Sequence, residues 1–420
     1  MTAAGSVSTD PRCRADGLGW VSRALFDDDR IALRVGGGPP AGYAVAARYA
    51  VVPSVDRARF LLPLGAPRVT AAALLAYNAL RPVTVRPIRA ALGVAARAGV
   101  VELAPFPVLT VAVAVGLDPA EVLLADRLAV LLGGGVRYAA CGVRPPDPNH
   151  KPTLQLFDAA GRPRGYAKIG WNPATRILVA QEAAALRALT AVAGVAGHPR
   201  VPRLLAETTL GRRAVTVVEP LPATVRRVPA GAAADPTAVL AVARRHRPPG
   251  EPRPLAGSSF LARLTAEARR AAATVAGGAR AVRAVAALAR RHGDGTVEFG
   301  HWHGDWVPWN LGRHGGNLIA WDWEHSGPDV PVGFDLVHDA FHRALVGRGE
   351  PVASAVDRMT AGLARHGTRL GLDRRRQRLV VDAYLMELWL RTWRLAEAGA
   401  GWNRRLHPAL LDVVEHRLGD

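Results

Sequence analysis

The chain has 420 residues, of which 49% are hydrophobic and 21% charged, a composition typical of a globular protein with more than one domain. The net charge of +19 suggests a nucleic-acid partner, but the arginines are spread over alanine-rich helical segments without interleaved aromatic residues, which disfavours one. The two cysteines, Cys13 and Cys141, are too few for a disulfide framework or a cysteine metal cluster.

The N-terminus and the longest apolar run bear on localisation. The first residues, "MTAAGSVSTDPRCRADG", contain no basic segment leading into an apolar one, so no secretion signal is predicted. The longest apolar run, Val100–Leu117, is interrupted by Glu102, Pro105 and Pro107, which disfavours a membrane span. We therefore expect a cytoplasmic protein without a membrane-spanning segment.

Residues 1–118 are predicted to form an N-terminal extension of unknown role, whose glycine- and proline-rich start is partly disordered. Alternating apolar residues and helical spacing predict two strands and then two helices in this extension: Arg48–Ser54, Arg59–Gly65, Val69–Leu80 and Pro87–Ala98. The extension is thus expected to be a small α/β segment.

Residues 119–222 are predicted to form a small antiparallel-sheet lobe. It begins with a helix, Pro119–Leu132, which Asp118 is placed to cap. Three β-type runs follow, "VRYAACGVR", "PTLQLFD" and "GYAKIGW", and then a helix, Pro173–Thr190, capped by Asn172. The run "PRLLAETTLGRRAVTVVEPLP" predicts a closing hairpin.

The second half of the chain is predicted to be mostly helical. Residues 223–257 are rich in Pro, Ala and Arg with little periodicity, which predicts a linker or loose insertion. Residues 258–420 begin with a helical run toward His292, capped by Ser258 or Ser259, and end in helices with a strongly apolar face. The chain is therefore predicted to be α+β, with a sheet lobe, a helical lobe and an extra N-terminal α/β segment.

One segment of this basic chain is acidic. Between residues 298 and 339 there is one basic residue, Arg313, against seven acidic ones: Glu298, Asp305, Asp322, Glu324, Asp329, Asp335 and Asp339. Five of the ten tryptophans lie here too, which indicates packing around a site rather than a solvated acidic face. Carboxylates gathered on loops are what Mg²⁺ requires, since it binds carboxylates, phosphates and water.

The stretch "HWHGDWVPWN" supports two interpretations. Starting at His301 it is H-x-H-x-D, the beginning of a two-metal hydrolase site. That class usually has another histidine directly after the Asp, where this chain has Trp306, and no spacing supports the remaining histidines as ligands: His314, His325, His338 and His342. Starting at His303 it is H-G-D-x-x-x-x-N, which is typical of a phosphotransferase loop.

The second interpretation assigns a chemical role to each polar residue. Asp305 would orient an acceptor hydroxyl and Asn310 would bind a metal ion. The following "NLIAWDWE" places Asp322 after an apolar strand and a glycine turn. A hairpin of this size returns the chain beside the loop it left, so Asp322 and Asn310 are expected to meet on one ion.

The motif H-G-D-x-x-x-x-N followed by "IAWDWEHSGPDVPVGFDL" resembles the aminoglycoside phosphotransferase and choline kinase family, which has a bilobal protein-kinase-like fold. The resemblance implies transfer of a phosphoryl group from ATP or GTP, with Mg²⁺, to a hydroxyl of a small molecule such as an aminoglycoside, choline, a sugar or a similar alcohol. It implies that His303 braces the loop, Asp305 is the catalytic base, Asn310 and Asp322 hold Mg²⁺ and Asp335 supports the loop. Glu324 is a weaker candidate near the metal.

The resemblance also predicts nucleotide-binding residues earlier in the chain. A kinase-like fold places a lysine on its third strand and pairs it with a glutamate on the next helix. Lys168, one of only two lysines, lies in "GYAKIGW", and Glu182 lies on the helix after it. The run "VVEPLP" would form the hinge, with the backbone around Glu219 and Leu221 contacting adenine.

Two features leave alternatives open. No G-x-G-x-x-G loop follows the first strand of the sheet lobe, where "GVRPPDPNHK" offers only Asn149, His150 and Lys151 as weak phosphate-binding candidates. Separately, a catalytically inactive, pseudokinase-type binding protein on the same fold is the main alternative. A cationic acceptor is a further hypothesis, suggested by three acidic residues of the helical lobe: Asp339, Asp382 and Glu387.

Overall fold

The computed structural model describes residues 10–190, 197–229, 231–232, 234–245, 250–404 and 406–419. Its α+β chain divides into two compact units: Met1–Ala183 with Pro202–Val225, hereafter the first unit, and Ala184–Val201 with Arg226–Asp420, hereafter the second unit. The start of the chain, for which partial disorder is predicted, includes residues 1–9, which lie outside the described residues.

The first unit alternates helices with strands. Its N-terminal part contains α1 (Gly17–Leu25), β1 (Ile31–Val35), β2 (Tyr43–Val52), β3 (Phe60–Pro63), α2 (Pro67–Leu75), α3 (Arg86–Arg97), α4 (Val100–Leu103), β4 (Val108–Ala114) and α5 (Leu124–Leu131). The following part contains β5 (Tyr138–Gly142), β6 (Thr153–Phe157), β7 (Pro163–Gly170), β8 (Leu204–Leu210) and β9 (Arg213–Val218), with α6 (Pro173–Thr190) between β7 and β8.

All nine strands belong to one antiparallel sheet in the order β1-β4-β2-β3-β5-β6-β7-β9-β8. The prediction of a small sheet is therefore wrong. The N-terminal strands join it through β3, whose Leu61 pairs with Cys141 of β5. This pairing covers a strand edge that would otherwise present unpaired N–H and C=O groups.

The sheet buries apolar side chains on both faces. Leu61 of β3 belongs to a cluster with Leu18 of α1, whereas its neighbour Leu62 belongs to a second cluster with Val69 of α2. Successive side chains of a strand point to opposite faces, so α1 and α2 cover different faces of the sheet. A sheet buried on both sides is a rigid support for residues on its central strands.

The helix predicted over Pro119–Leu132 is interrupted. Asp118 does cap, accepting a hydrogen bond of 2.9 Å from the Ala120 N–H, but it caps a single 3₁₀ turn, Pro119–Glu121. The chain then extends at Leu123, with φ −95° and ψ 125°, before α5 begins. Val122 and Leu123 are buried here, so core packing overrides the local helical signal.

The second unit contains eight helices among its described residues that follow α6, together with short strands. They are β10 (Arg226–Arg227), α7 (Pro236–Arg244), β11 (Arg253–Pro254), α8 (Ser259–Thr274), α9 (Gly278–His292), β12 (Thr296–Val297), β13 (Phe299–Trp302), β14 (Leu311–His314), β15 (Asn317–Ala320), β16 (Gly327–Pro331), α10 (Phe334–His342), α11 (Val352–Ala364), α12 (Gly367–Leu370), α13 (Arg374–Glu397) and α14 (His407–Leu418). No helix in the described ranges is long and apolar enough to cross a bilayer.

Part of the segment 223–257, predicted as a linker or loose insertion, is the helix α7. Asp235 caps it by accepting a 2.9 Å hydrogen bond from the Thr237 N–H. Val239 and Val242 are buried on its inner face. The short apolar face is easily overlooked because the segment around it is dominated by alanine, proline and arginine.

His407 at the start of α14 makes folding stability depend on pH. Its ring is 2% exposed and lies 3.3 Å, centroid to centroid, from the ring of Trp402, and burial lowers its pKa from 6.5 to about 4. The unfolded chain therefore binds this proton more readily, and the stability present above pH 6.5 is lost as the pH falls toward 4.

The substitution His407→Phe keeps an aromatic ring and removes the proton site. The substitution changes the free energy of unfolding by some amount at pH 8. At pH 5 we expect that change to be about 2 kcal/mol more favourable to the folded state. Urea unfolding of both proteins at the two pH values measures this difference. An equal effect of the substitution at both pH values would contradict the assignment.

Candidate active site

The loop after β13 carries His303, Gly304 and Asp305, and Gly304 permits its sharp turn. Gly304 has φ +81°, and a Cβ at this position would lie 2.1 Å from the carbonyl oxygen of His325. The loop then passes through a short 3₁₀ turn, Pro308–Asn310, into the hairpin of β14 and β15. The glycine of the H-G-D motif is therefore required by a close approach of two backbone segments.

His303 ties two loops together. Its ring is fully buried, Nε2 lies 3.0 Å from the Trp321 carbonyl oxygen, and Nδ1 accepts a 3.1 Å hydrogen bond from the Asp305 N–H. Both ring nitrogens are thus engaged by backbone groups, which leaves neither for a metal ion. The H-x-H-x-D interpretation loses its central ligand here.

The donor sets that a metallohydrolase needs are also missing from the described part of the chain. Within it, no group of three or more His, Cys, Asp or Glu side chains is placed to hold a metal ion. A zinc-type hydrolase site needs such a group of side chains.

Asp335, in the first turn of α10, lies beneath the H-G-D loop. Its carboxylate accepts hydrogen bonds from the backbone N–H groups of His303, at 2.8 Å, and Gly304, at 3.0 Å. Burial raises the pKa of Asp335 to about 7, although these two hydrogen bonds and the charge of Arg391 act in the opposite direction. Arg391 also donates to the Gly304 carbonyl oxygen, so the loop is held from both sides.

Asp305 and Asn310 are in direct contact. Asn310 Nδ2 donates to Asp305 Oδ2 at 2.7 Å and to the Asp305 carbonyl oxygen at 3.1 Å. These bonds use the amide nitrogen and leave Asn310 Oδ1 as the amide atom that can bind a cation. The Asp305 side chain stays 29% exposed, whereas Asn310 is buried.

Asp322 follows β15 and lies beside Asn310 along the hairpin. Leu311 pairs with Ala320, and the Trp321 N–H donates to the Asn310 carbonyl oxygen at 3.1 Å. Asp322 itself has φ +63°, an uncommon backbone conformation for a non-glycine residue. Such conformations are often retained at functional sites.

The side chains gathered here suit a hard cation. Asn310 and Asp322 offer oxygen atoms, which Mg²⁺ prefers. Glu324, two residues beyond Asp322, has its carboxylate 3.8 Å from His325 Nε2. Asn310 directly precedes β14 and Asp322 follows β15 by two residues, so the two lie at the same end of one hairpin.

The first unit contains the predicted lysine–glutamate pair. Lys168 lies on β7, between β6 and β9, and Glu182 lies on α6. Lys168 Nζ and Glu182 Oε1 are 2.6 Å apart, and the two side chains are only 13% and 2% exposed. A buried pair of this kind holds the ammonium group in one place.

The predicted hinge and the loop after β5 are also in the first unit. Glu219 and Leu221 directly follow β9, and the Glu219 carboxylate accepts a 2.9 Å hydrogen bond from Arg203. The loop after β5 is tied to the end of β7, because Trp171 Nε1 donates to the His150 carbonyl oxygen at 2.9 Å. This hydrogen bond holds in place the loop that lacks a G-x-G-x-x-G motif.

Sequence reasoning gave Tyr384 and Arg391 no role and considered His338 only as a metal ligand. His338 Nε2 lies 3.0 Å from Asp305 Oδ1, and the Tyr384 hydroxyl lies 3.0 Å from His338 Nδ1. Two spacings in the sequence could have indicated that these residues belong together. Asp335 and His338 are three residues apart on α10, and Tyr384 and Arg391 are seven apart on α13, which places each pair on one helix face.

The acidic residues proposed for a cationic acceptor are all paired. Asp339 accepts from Arg343 at 2.8 Å, and Asp382 from Arg417 at 2.6 Å. Glu387 accepts from two arginines, Arg263 at 2.7 Å and Arg394 at 3.0 Å. Their charges are therefore balanced within the protein.

Gly304→Ala is expected to destabilise the protein by about 3 kcal/mol or more, because the methyl group meets a backbone oxygen in a conformation that L-residues avoid. Gly316→Ala is a matched control, since Gly316 has φ +84° but nothing within 4 Å of the added Cβ. Urea unfolding of both variants separates the two effects. Equal losses of stability in the two variants would show that the contact with the His325 carbonyl oxygen does not destabilise Gly304→Ala.

Comparison with known proteins gives structural similarity only. No protein-family model and no curated protein sequence matches the chain. The structure is similar to a thermostable mutant of aminoglycoside phosphotransferase APH(4)-Ia in complex with ADP and hygromycin B, with 13% identity over 70% of this chain and 96% of that one and a TM-score of 0.45.

Two further solved structures are small-molecule kinases by name. Choline kinase LicA from Streptococcus pneumoniae has 11% identity over 70% of this chain and 97% of its own, with a TM-score of 0.45. A putative fructosamine-3-kinase from Haemophilus somnus has 10% identity over 70% and 95%, with a TM-score of 0.39. Identity this low carries no information about substrate, and the geometry of the site decides which chemistry it supports.

Proposed function

We propose that this chain is a Mg²⁺-dependent phosphotransferase that moves a phosphoryl group from ATP or GTP to a hydroxyl of a small molecule. The fold would be that of the aminoglycoside phosphotransferase and choline kinase family. One observation carries the proposal: Asn310 donates a 2.7 Å hydrogen bond to the Asp305 carboxylate, and the hairpin that follows brings the Trp321 N–H back to the Asn310 carbonyl oxygen. A base would thus lie beside a pair of oxygen ligands.

The proposed reaction needs few covalent parts. The acceptor oxygen attacks the γ-phosphorus, and the bond from that phosphorus to the bridging oxygen breaks. The nucleoside diphosphate leaves with the electron pair of that bond, and the hydroxyl proton passes to Asp305 and then to water. Asn310 and Asp322 would hold a Mg²⁺ ion, whose charge would offset that of the phosphate oxygens.

The first unit would supply the nucleotide contacts. Lys168 would donate to the nonreacting phosphates, with its ammonium group oriented by Glu182. Backbone groups of the segment from Glu219 to Leu221 would contact the base. The support for these roles is the 2.6 Å buried ion pair, whose lysine lies on an interior strand of the sheet.

The acceptor is proposed to be a neutral alcohol such as a sugar. Recognition of a polycation requires carboxylates that are not already neutralised. Asp339, Asp382 and Glu387 each pair with an arginine, so they offer little to an amino group. Aminoglycosides are therefore less favoured than neutral sugars and similar alcohols.

An acceptor screen on the full chain tests the proposal. ATP or GTP with Mg²⁺ is combined with sugars, other neutral alcohols, choline and aminoglycosides, while nucleoside diphosphate release and the mass of the acceptor are followed. We expect metal-dependent phosphorylation of a neutral alcohol. Nucleotide binding with neither transfer nor ATP hydrolysis would contradict it and favour the inactive, pseudokinase-type alternative.

A further inference from the structure

His338 is a fully buried histidine whose contacts are not explained by binding of nucleotide or metal. It lies on α10, three residues after Asp335, and its two ring nitrogens contact two different side chains. Nε2 is 3.0 Å from Asp305 Oδ1, and Nδ1 is 3.0 Å from the Tyr384 hydroxyl. The three groups form a chain that ends on the proposed catalytic base.

The proton positions along this chain follow from the chemistry of its ends. A carboxylate that serves as a base can only accept hydrogen bonds, so His338 Nε2 carries a proton and donates it to Asp305. Burial, with the nearby positive charge of Arg391, lowers the pKa of His338 well below its ordinary value, so the ring is neutral. Nδ1 then accepts, and the Tyr384 hydroxyl donates to it.

We propose that His338, oriented by Tyr384, is a positioning residue that holds the Asp305 carboxylate in the orientation needed to receive the acceptor proton. The inference rests on the proposed function, since it assumes that Asp305 is the base. His338 holds Oδ1 while Asn310 holds Oδ2, so each end of the carboxylate is fixed and each oxygen keeps a further lone pair.

A neutral histidine suits this task better than a cation. An arginine or lysine in the same place would bind the carboxylate more strongly and reduce its tendency to take up a proton. A neutral N–H orients the carboxylate at a smaller cost to its basicity. The Tyr384 hydroxyl is needed because it selects the tautomer that carries the proton on Nε2.

The surroundings of His338 keep its ring in one plane. His342 stacks on it with ring centroids 4.1 Å apart, and Trp302 meets it edge to face at 6.3 Å. Tyr384, Arg391 and His303 complete the polar and charged groups that face it. A ring confined in this way can hold a carboxylate to the accuracy that proton transfer requires.

The kinetics of three variants test the proposal. The first assay is slow ATP hydrolysis, in which water takes the place of the acceptor. His338→Gln retains an N–H donor, whereas Tyr384→Phe removes only the hydrogen bond to Nδ1 and His338→Met removes both hydrogen bonds of the ring. We expect kcat to fall about 100-fold in His338→Met and about 10-fold in Tyr384→Phe, with KM for ATP nearly unchanged, while His338→Gln recovers much of the loss. His407→Phe, another buried histidine, serves as the control.

A direct readout of the tautomer makes the test independent of turnover. Nitrogen-15 NMR of the histidine-labelled full chain, assigned with His338→Gln, should show a neutral ring with its proton on Nε2. Tyr384→Phe should move part of the population to the Nδ1 tautomer. A proton on Nδ1 in the unmodified protein, or an unchanged kcat in His338→Met, would overturn the proposal.

The two proposals fail in different ways. If the unmodified protein neither hydrolyses ATP nor phosphorylates any acceptor, the proposed function is wrong, and the positioning role falls with it even where NMR finds the expected tautomer. If the unmodified protein is active but His338→Met matches it, only the role of His338 is wrong.

Discussion

Replacing Asp305 with asparagine is expected to lower kcat for phosphoryl transfer about a thousandfold, because a general base contributes between about 10²- and 10⁴-fold. Asparagine has nearly the same shape as aspartate and still accepts hydrogen bonds, but its amide oxygen does not take up the hydroxyl proton. KM for ATP should change little, since Asp305 is not proposed to contact the nucleotide. Steady-state rates with the acceptor found by the screen measure the effect.

Asp329→Asn is a matched control for this substitution. Asp329 is an aspartate of the same unit, and its carboxylate lies 3.9 Å from Arg253 and 3.3 Å from the Ser259 hydroxyl. It also has positive φ, which asparagine tolerates as well as aspartate does. Undiminished turnover in Asp305→Asn, or an equal loss in Asp329→Asn, would contradict the assignment of the base.

Lys168→Met is expected to lower kcat/KM for ATP by about 10²- to 10³-fold, the size of effect seen when one electrostatic donor to a transition state is removed. It should also destabilise the first unit by about 3 kcal/mol, because it leaves Glu182 as a buried carboxylate without the lysine that neutralises it. Activity measurements and urea unfolding follow the two effects separately.

Two further variants separate catalysis from stability at this pair. Lys168→Met combined with Glu182→Leu removes both charges, so stability should return while activity does not. Lys168→Arg should also stay poorly active, since a planar guanidinium does not replace a compact ammonium group. Recovery of activity in the uncharged double variant would show that the pair has only a structural role.

The sequence by itself located residues whose structural context is local. Lys168 lies in a run of β-type residues and Glu182 on the helix that follows directly, so strand and helix patterns were enough to predict their neighbourhood. The same holds for Asp305 and Asn310, which lie five residues apart in one loop. Short loops and hairpins leave the chain few ways to arrange such residues.

Only the tertiary structure decided which distant segments meet. Leu61 and Cys141 join the N-terminal strands to the sheet, and His338 reaches Asp305 across 33 residues of sequence. In the sequence Tyr384 looks like one more member of an apolar helix face, and its polar role exists only because α13 brings its hydroxyl to His338. Such contacts are selected by the packing of whole elements, which no local pattern encodes.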